Sequence, residues 1–107
     1  MNLHPSNENG VPFSTLTVLT FYSDIVFVQD LEEVYRLAAY LEGGMVFTHT
    51  LKSATEKWRT YMAKEVPDMA PFTHEELHKH PLTHCLFAAE ELVRSVGITV
   101  MIRRPKE

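Results

Sequence analysis

Between Asp30 and Gly97 the apolar residues recur at every third or fourth position in three stretches, closed by Gly43-Gly44, Pro67 and Gly97. Such spacing winds an apolar stripe onto one face of a helix, so the chain must fold around amphipathic helices that share a core. The first opens at Asp30, whose carboxylate can accept the free N–H groups of the first turn, while Glu33 completes a capping-box pattern. Its stripe is Leu31, Val34, Tyr35, Ala38 and Leu41. The second takes its cap from Thr48 or Thr50 and carries Leu51, Ala54, Trp58, Tyr61 and Met62 on one face before Pro67 stops it. After a loop over 68–73, Thr73 and Glu76 repeat the capping box at a one-turn helix, with Phe72 and Leu77 at the positions of a hydrophobic staple. His80, standing before Pro81, is pushed out of the helical region, so the chain turns there and Pro81 takes the first position of the last helix. That helix carries Leu82, Cys85, Leu86, Ala89, Leu92, Val93 and Val96 and ends at Gly97.

Two β-branched and aromatic runs, Thr15 to Phe21 and Ile25 to Val28, flank Tyr22-Ser23-Asp24 and predict an N-terminal hairpin, and Ile98 to Ile102 predicts a closing strand. The polar start, with Pro5, Gly10 and Pro12, predicts a loose arm over 1–12 ahead of a single domain over 13–107. The expected fold is therefore α+β: a small antiparallel sheet, made of the hairpin plus the C-terminal strand, packed against three or four helices. The strand order stays open, and a free sheet edge leaves room for a homodimer.

At 107 residues, 45% hydrophobic and 22% charged, the chain has the size and mix of one globular domain, which excludes disorder and disulfide scaffolds. A formal charge of −4 gives a duplex-binding surface no support; only Arg103, Arg104 and Lys106 favour a nucleic-acid-binding accessory role. The single cysteine, Cys85, has no partner for an internal disulfide and fits a reducing compartment. The first residues show no basic stretch followed by an apolar one, and no apolar run is long enough to cross a bilayer, so a cytoplasmic protein without membrane partners is expected. Six histidines would carry the formal charge from −4 to +2 on protonation, so solubility should respond to mild acid.

His74-Glu75-Glu76-Leu77-His78 matches the zinc-protease pattern HExxH, in which two imidazoles one helical turn apart hold the metal and the glutamate acts as general base. His84 lies six residues further on, where the extended pattern places its third ligand. Three arguments oppose a zinc site. Pro81 stands where the extended pattern has a turn-making glycine, the helix is too short to hold a catalytic pair firmly, and four histidines in eleven residues make chance matches common. The primary reading is a capped, solvated helix with no metal and no catalytic residue. The alternative is a zinc-dependent hydrolase with His74, His78 and His84 as ligands and Glu75 as base. Cys85 sits in an apolar stripe and reads as a buried thiol, not as a ligand beside His49, His80 or His84. Trp58, Tyr61 and Met62 read as core residues before they read as a recognition patch.

Two stretches resemble a family of small uncharacterised proteins, a domain of unknown function, encoded by tailed phages and prophages. One is Gly43-Gly44 followed by Phe47-Thr48-His49-Thr50-Leu51, with an aromatic-rich helix and Pro67 after it. The other is His78-Lys79-His80-Pro81-Leu82, entering a helix that ends in Val96-Gly97. Thr50 and His80 replace the family's usual Gln and Asp. The resemblance implies phage origin and no known activity, and it leaves Thr48 and His49, a capping threonine beside a partly buried histidine, as the interaction candidates. Taken together, the sequence is expected to encode a non-enzymatic interaction factor without cofactor that binds a host or phage protein, perturbing a host process or defence.

Overall fold

The structure is a computed structural model and describes residues 10–105. Its centre is a helix that the sequence disguises as a strand. The segment Thr-Leu-Thr-Val-Leu-Thr-Phe is α1 (Thr15–Ser23), and every residue of it but Leu16 is buried. Three longer helices pack around it: α2 (Glu32–Glu42), α3 (Thr48–Glu65) and α5 (Leu82–Val96). A helix enclosed except at one residue has almost no wet face and so no amphipathic period, and its β-branched residues then read as strand.

The hydroxyls that make α1 look strand-like are satisfied inside the helix or by its neighbours, as burial demands. Thr20 Oγ1 donates to the Leu16 carbonyl at 2.8 Å and Ser23 Oγ to that of Leu19 at 2.7 Å, while Thr15 Oγ1 reaches the Gly97 carbonyl at 2.6 Å. The expected hairpin is therefore absent among the described residues. Tyr22 and Ser23 end the helix, Asp24 adopts a left-handed conformation (φ 64°) that closes it, and Ile25 to Val28 is a connecting loop tied down by Phe27 N–H donating to Thr20 Oγ1 at 3.0 Å.

The sheet has two strands. β1 (Val11–Ser14) pairs antiparallel with β2 (Thr99–Ile102), Val11 opposite Ile102 and Phe13 opposite Val100, so the fold is α+β with its strands at the two ends of the described chain. Phe13, Val100 and Ile102 point into the core. Residues 1–9 of the expected arm lie outside the described residues, while Gly10 to Pro12 belong to the folded body. Gly10 is buried with φ +92°, and a Cβ there would stand 2.6 Å from the Ile102 carbonyl oxygen, so glycine is required by both conformation and space.

The helices otherwise follow their stripes in part: Leu31, expected on the first, stands 37% exposed at the N-cap of α2, which begins at Glu32 and not at Asp30, and Leu82 and Leu86 of the last are exposed. Asp30 Oδ1 accepts from Glu32 N–H at 2.6 Å at the start of α2, which Gly43 closes at φ 79°. Glu33 does not serve its own helix as a capping box. Its carboxylate reaches the start of α1, accepting from Ser14 N–H and Thr17 Oγ1, each at 3.1 Å. Ser14 offers α1 no side-chain cap, and a carboxylate set against that positive helix end supplies one from outside. On α3 the N-cap position falls to Phe47, neither to Thr48 nor to Thr50. Thr50 Oγ1, three residues in, accepts from Phe47 N–H at 2.9 Å. A 3₁₀ turn, Pro67–Met69, follows α3, and Met69 is wholly buried. Thr73 caps α4 (His74–His78), accepting from Glu76 N–H at 3.1 Å. Pro81 stands at the N-cap of α5, one position before its expected place, because its ψ of 161° is extended.

Three tyrosines pin chain ends and turns to this frame. Tyr22 OH donates to the Ala70 carbonyl at 2.8 Å, Tyr40 OH to that of Ile102 at 2.9 Å, and Tyr61 OH to that of Arg103. Burial pushes all three phenols above the usual tyrosine range. Arg59 opposes the shift at Tyr22 and Arg104 opposes it at Tyr40, while the Glu65 carboxylate adds to it at Tyr40 and Tyr61.

Candidate functional site

The apolar residues of α5 span more of the helix circumference than the core can take up. Cys85, Ala89 and Leu92 face inward and are buried, but Leu82 and Leu86, expected to join them, are 64% and 50% exposed. Phe87, one position beyond Leu86, is 67% exposed. Leu86 and Phe87, but not Leu82, meet Leu16 of α1 and Phe27 of the following loop in lining a groove of about 710 Å³, together with Ala89, Val93, Thr83, Glu90 and Arg94. The groove is mostly apolar, with one acidic and one basic group a helical turn apart on its border. The signal for it lay in the sequence: Leu86 and Phe87 are adjacent, 100° apart on a helix, and cannot both enter a stripe that already holds Cys85, Ala89 and Leu92.

The histidine-rich segment divides into two pairs. His74 and His78 stack on the five-residue α4 with ring centres 5.0 Å apart and planes 19° apart, and His84 meets His80 with centres 4.1 Å apart and planes tilted by 30°. The three imidazoles of the HExxH pattern are thus not one cluster, and no three His, Cys, Asp or Glu side chains among the described residues are grouped to hold a metal ion. His74, Glu75, His78 and Lys79 do line one depression, of about 510 Å³. Glu76 pairs instead with the bend, its carboxylate 3.6 Å from Lys79 Nζ and 3.7 Å from His80 Nε2. Cys85 is 3% exposed, with Sγ 3.2 Å from the Leu77 carbonyl oxygen.

Thr48 and His49 sit together at the first turn of α3. Thr48 Oγ1 accepts from Tyr35 OH at 3.3 Å, and His49, expected to be partly buried, is exposed and stacked on Phe47, ring centres 6.0 Å apart. Its place on the first turn, where the chain has left the core, accounts for the exposure. Trp58 and Tyr61 are half-buried and only Met62 is fully enclosed. The indole Nε1 donates to Glu42 Oε2 at 2.8 Å, and the indole meets Tyr61 edge-on. The basic end folds onto the domain. Arg103 donates to Glu65 through its backbone N–H at 2.9 Å and through its guanidinium, which those bonds hold above the ordinary arginine range, and Arg104 lies 4.9 Å from the Tyr40 ring centre.

These features define a small α+β domain with an apolar groove along its last helix. A family model described as Domain of unknown function (DUF7736) matches residues 13–72, and the chain belongs to that family. No curated protein matches the chain, and no solved structure does. The match includes the stretch from Gly43 to Pro67 and ends before His78, so Leu16 and Phe27 lie within it and α5 beyond it. No helix among the described residues is long and apolar enough to cross a membrane.

Proposed function

We propose that this chain is a small phage-encoded, non-enzymatic factor that works in the host cytoplasm by binding a host or phage protein, inhibiting a host process such as a defence system. The contact surface in this reading is the groove between α5 and α1. One observation carries it: Leu86 and Phe87, which line the groove, stand 50% and 67% exposed on a fifteen-residue helix, with Leu82 one turn earlier at 64%. Together they offer on the order of 300 Å² of apolar surface, the size of the largest patch on a typical monomer, which is often functional. Phage origin is supported by the resemblance of Gly43 to Leu51 and of His78 to Leu82.

The test is capture from bacterial lysate with tagged wild type beside Phe87→Glu, a change on a surface residue that leaves the core intact. Wild type should hold a defined partner that the variant releases. No partner on wild type, or equal retention by both proteins, refutes the reading. A second reading, a zinc-dependent hydrolase in which His74, His78 and His84 would hold the metal and Glu75 would act as base on its bound water, is favoured by His74, Glu75 and His78 lining one depression, while His84 sits against His80. Metal bound to the native state raises stability, so this reading requires more than about a tenth of an equivalent of zinc after reconstitution and a melting temperature that falls with chelator.

A further inference from the structure

We infer that the occupant of the α5 groove is the same face of a second copy of this chain, laid antiparallel about a twofold axis. The inference rests on the reading of this face as a contact surface and names its occupant in the free protein, a second copy that a host or phage target would displace. Thr83, Phe87, Glu90 and Arg94 recur at intervals of four, three and four along the outward side of α5, the spacing at which one helix presents a continuous seam to another. Glu90 and Arg94 are both exposed, and neither makes an ion pair with another described residue. A foreign partner would need the reverse pair at matching spacing. An antiparallel copy carries it by symmetry, because an isologous interface sets each residue of one protomer against its counterpart's complement.

With the axis crossing α5 midway between these two residues, Glu90 faces Arg94 of the other copy twice over. The pairing therefore covers Phe87 on the outward seam and neutralises both charges in one step.

Sedimentation velocity over rising concentration, up to about a millimolar, reads the outcome. Wild type should reach twice the 12.3 kDa chain mass. Phe87→Glu, Glu90→Arg and Arg94→Glu should each weaken association at least about tenfold while melting like wild type, since each single charge reversal sets like charges together twice. Mixing Glu90→Arg with Arg94→Glu should restore the doubled mass, because the two variants complement each other across the axis. Wild type remaining at one chain mass throughout, or a mixture no better associated than its components, overturns the inference. Wild type at one chain mass that still holds a Phe87-dependent partner from lysate removes the pairing and leaves the proposed function standing. Pairing as described with lysate capture indifferent to Phe87→Glu does the reverse.

Discussion

Replacing Glu33 by alanine should destabilise the domain by about 2 to 3 kcal/mol, far more than a half-exposed carboxylate on a helix surface normally contributes. The size follows from what the carboxylate touches. It accepts from Ser14 N–H and Thr17 Oγ1, both at 3.1 Å, and Thr17 is 1% exposed, so truncation strands a buried hydroxyl and a helix-end N–H together. A hydrogen bond to a charged acceptor is worth roughly 1.5 to 3 kcal/mol, and the side chain's 33% exposure lets water recover part of the loss. The ion pair with Arg36 at 3.3 Å adds no more than about 0.5 kcal/mol, because the arginine is mostly in solvent. Glu33→Gln keeps an acceptor in place and loses mainly the charge at the start of α1, so its cost should stay near 1 kcal/mol. Urea denaturation with an unchanged slope is the assay, and the alanine variant should melt roughly 10 to 15 °C lower. A cycle with Thr17→Val should show coupling of about 1 kcal/mol. An alanine cost under about 0.5 kcal/mol, or equal costs for alanine and glutamine, would refute the claim that this carboxylate anchors α1.

Gly10→Ala should cost about 2 to 4 kcal/mol by thermal melting, because its Cβ meets the Ile102 carbonyl at 2.6 Å and its φ is +92°; a neutral result would place β1 elsewhere. Folding favours the neutral phenols of Tyr22, Tyr40 and Tyr61, whose folded pKa values are raised. Their share of stability is therefore full below about pH 10 and is lost as pH rises through the raised values. Phenolate absorbance with denaturation at alkaline pH checks this, and Tyr40→Phe should flatten part of the alkaline decline. Trp58→Ala should cost about 1.5 to 3 kcal/mol, less than full burial would imply, since the half-buried ring loses packing on Tyr61 and one bond to Glu42. Equilibrium denaturation reads it, and a loss above about 4 kcal/mol would mean that the ring is enclosed.

The helices with one wet face were legible because their periodicity survives in the sequence. Gly43 and Gly97 stop α2 and α5 with positive φ, and Thr73 caps α4 as its spacing to Glu76 indicates. What escaped is what periodicity cannot encode. α1 is enclosed everywhere but at Leu16, so Thr15, Thr17 and Thr20 carry a strand-like composition into a helix that neighbours impose. β1 is four residues with Pro12 inside it, and only its register against β2, Val11 to Ile102, distinguishes it from an arm. Glu33 sits at the right distance from Asp30 for a capping box, and its tertiary role depends on Ser14 and Thr17 lying nearby in space, which spacing does not reveal. The groove was half legible. Its apolar residues were all visible, but which of them the core would leave outside depends on the width of α1, Leu16 included.

The enclosure of α1 has a consequence for the life of the molecule outside its native state. Thr15 to Phe21 is seven residues without charge or proline, rich in β-branched side chains, and suited to stacking with identical segments from other molecules. Only surrounding helices keep it wound. Heat or proteolysis that strips them away releases an adhesive ribbon, and losses then become irreversible and grow with protein concentration, whatever the equilibrium stability of the intact domain.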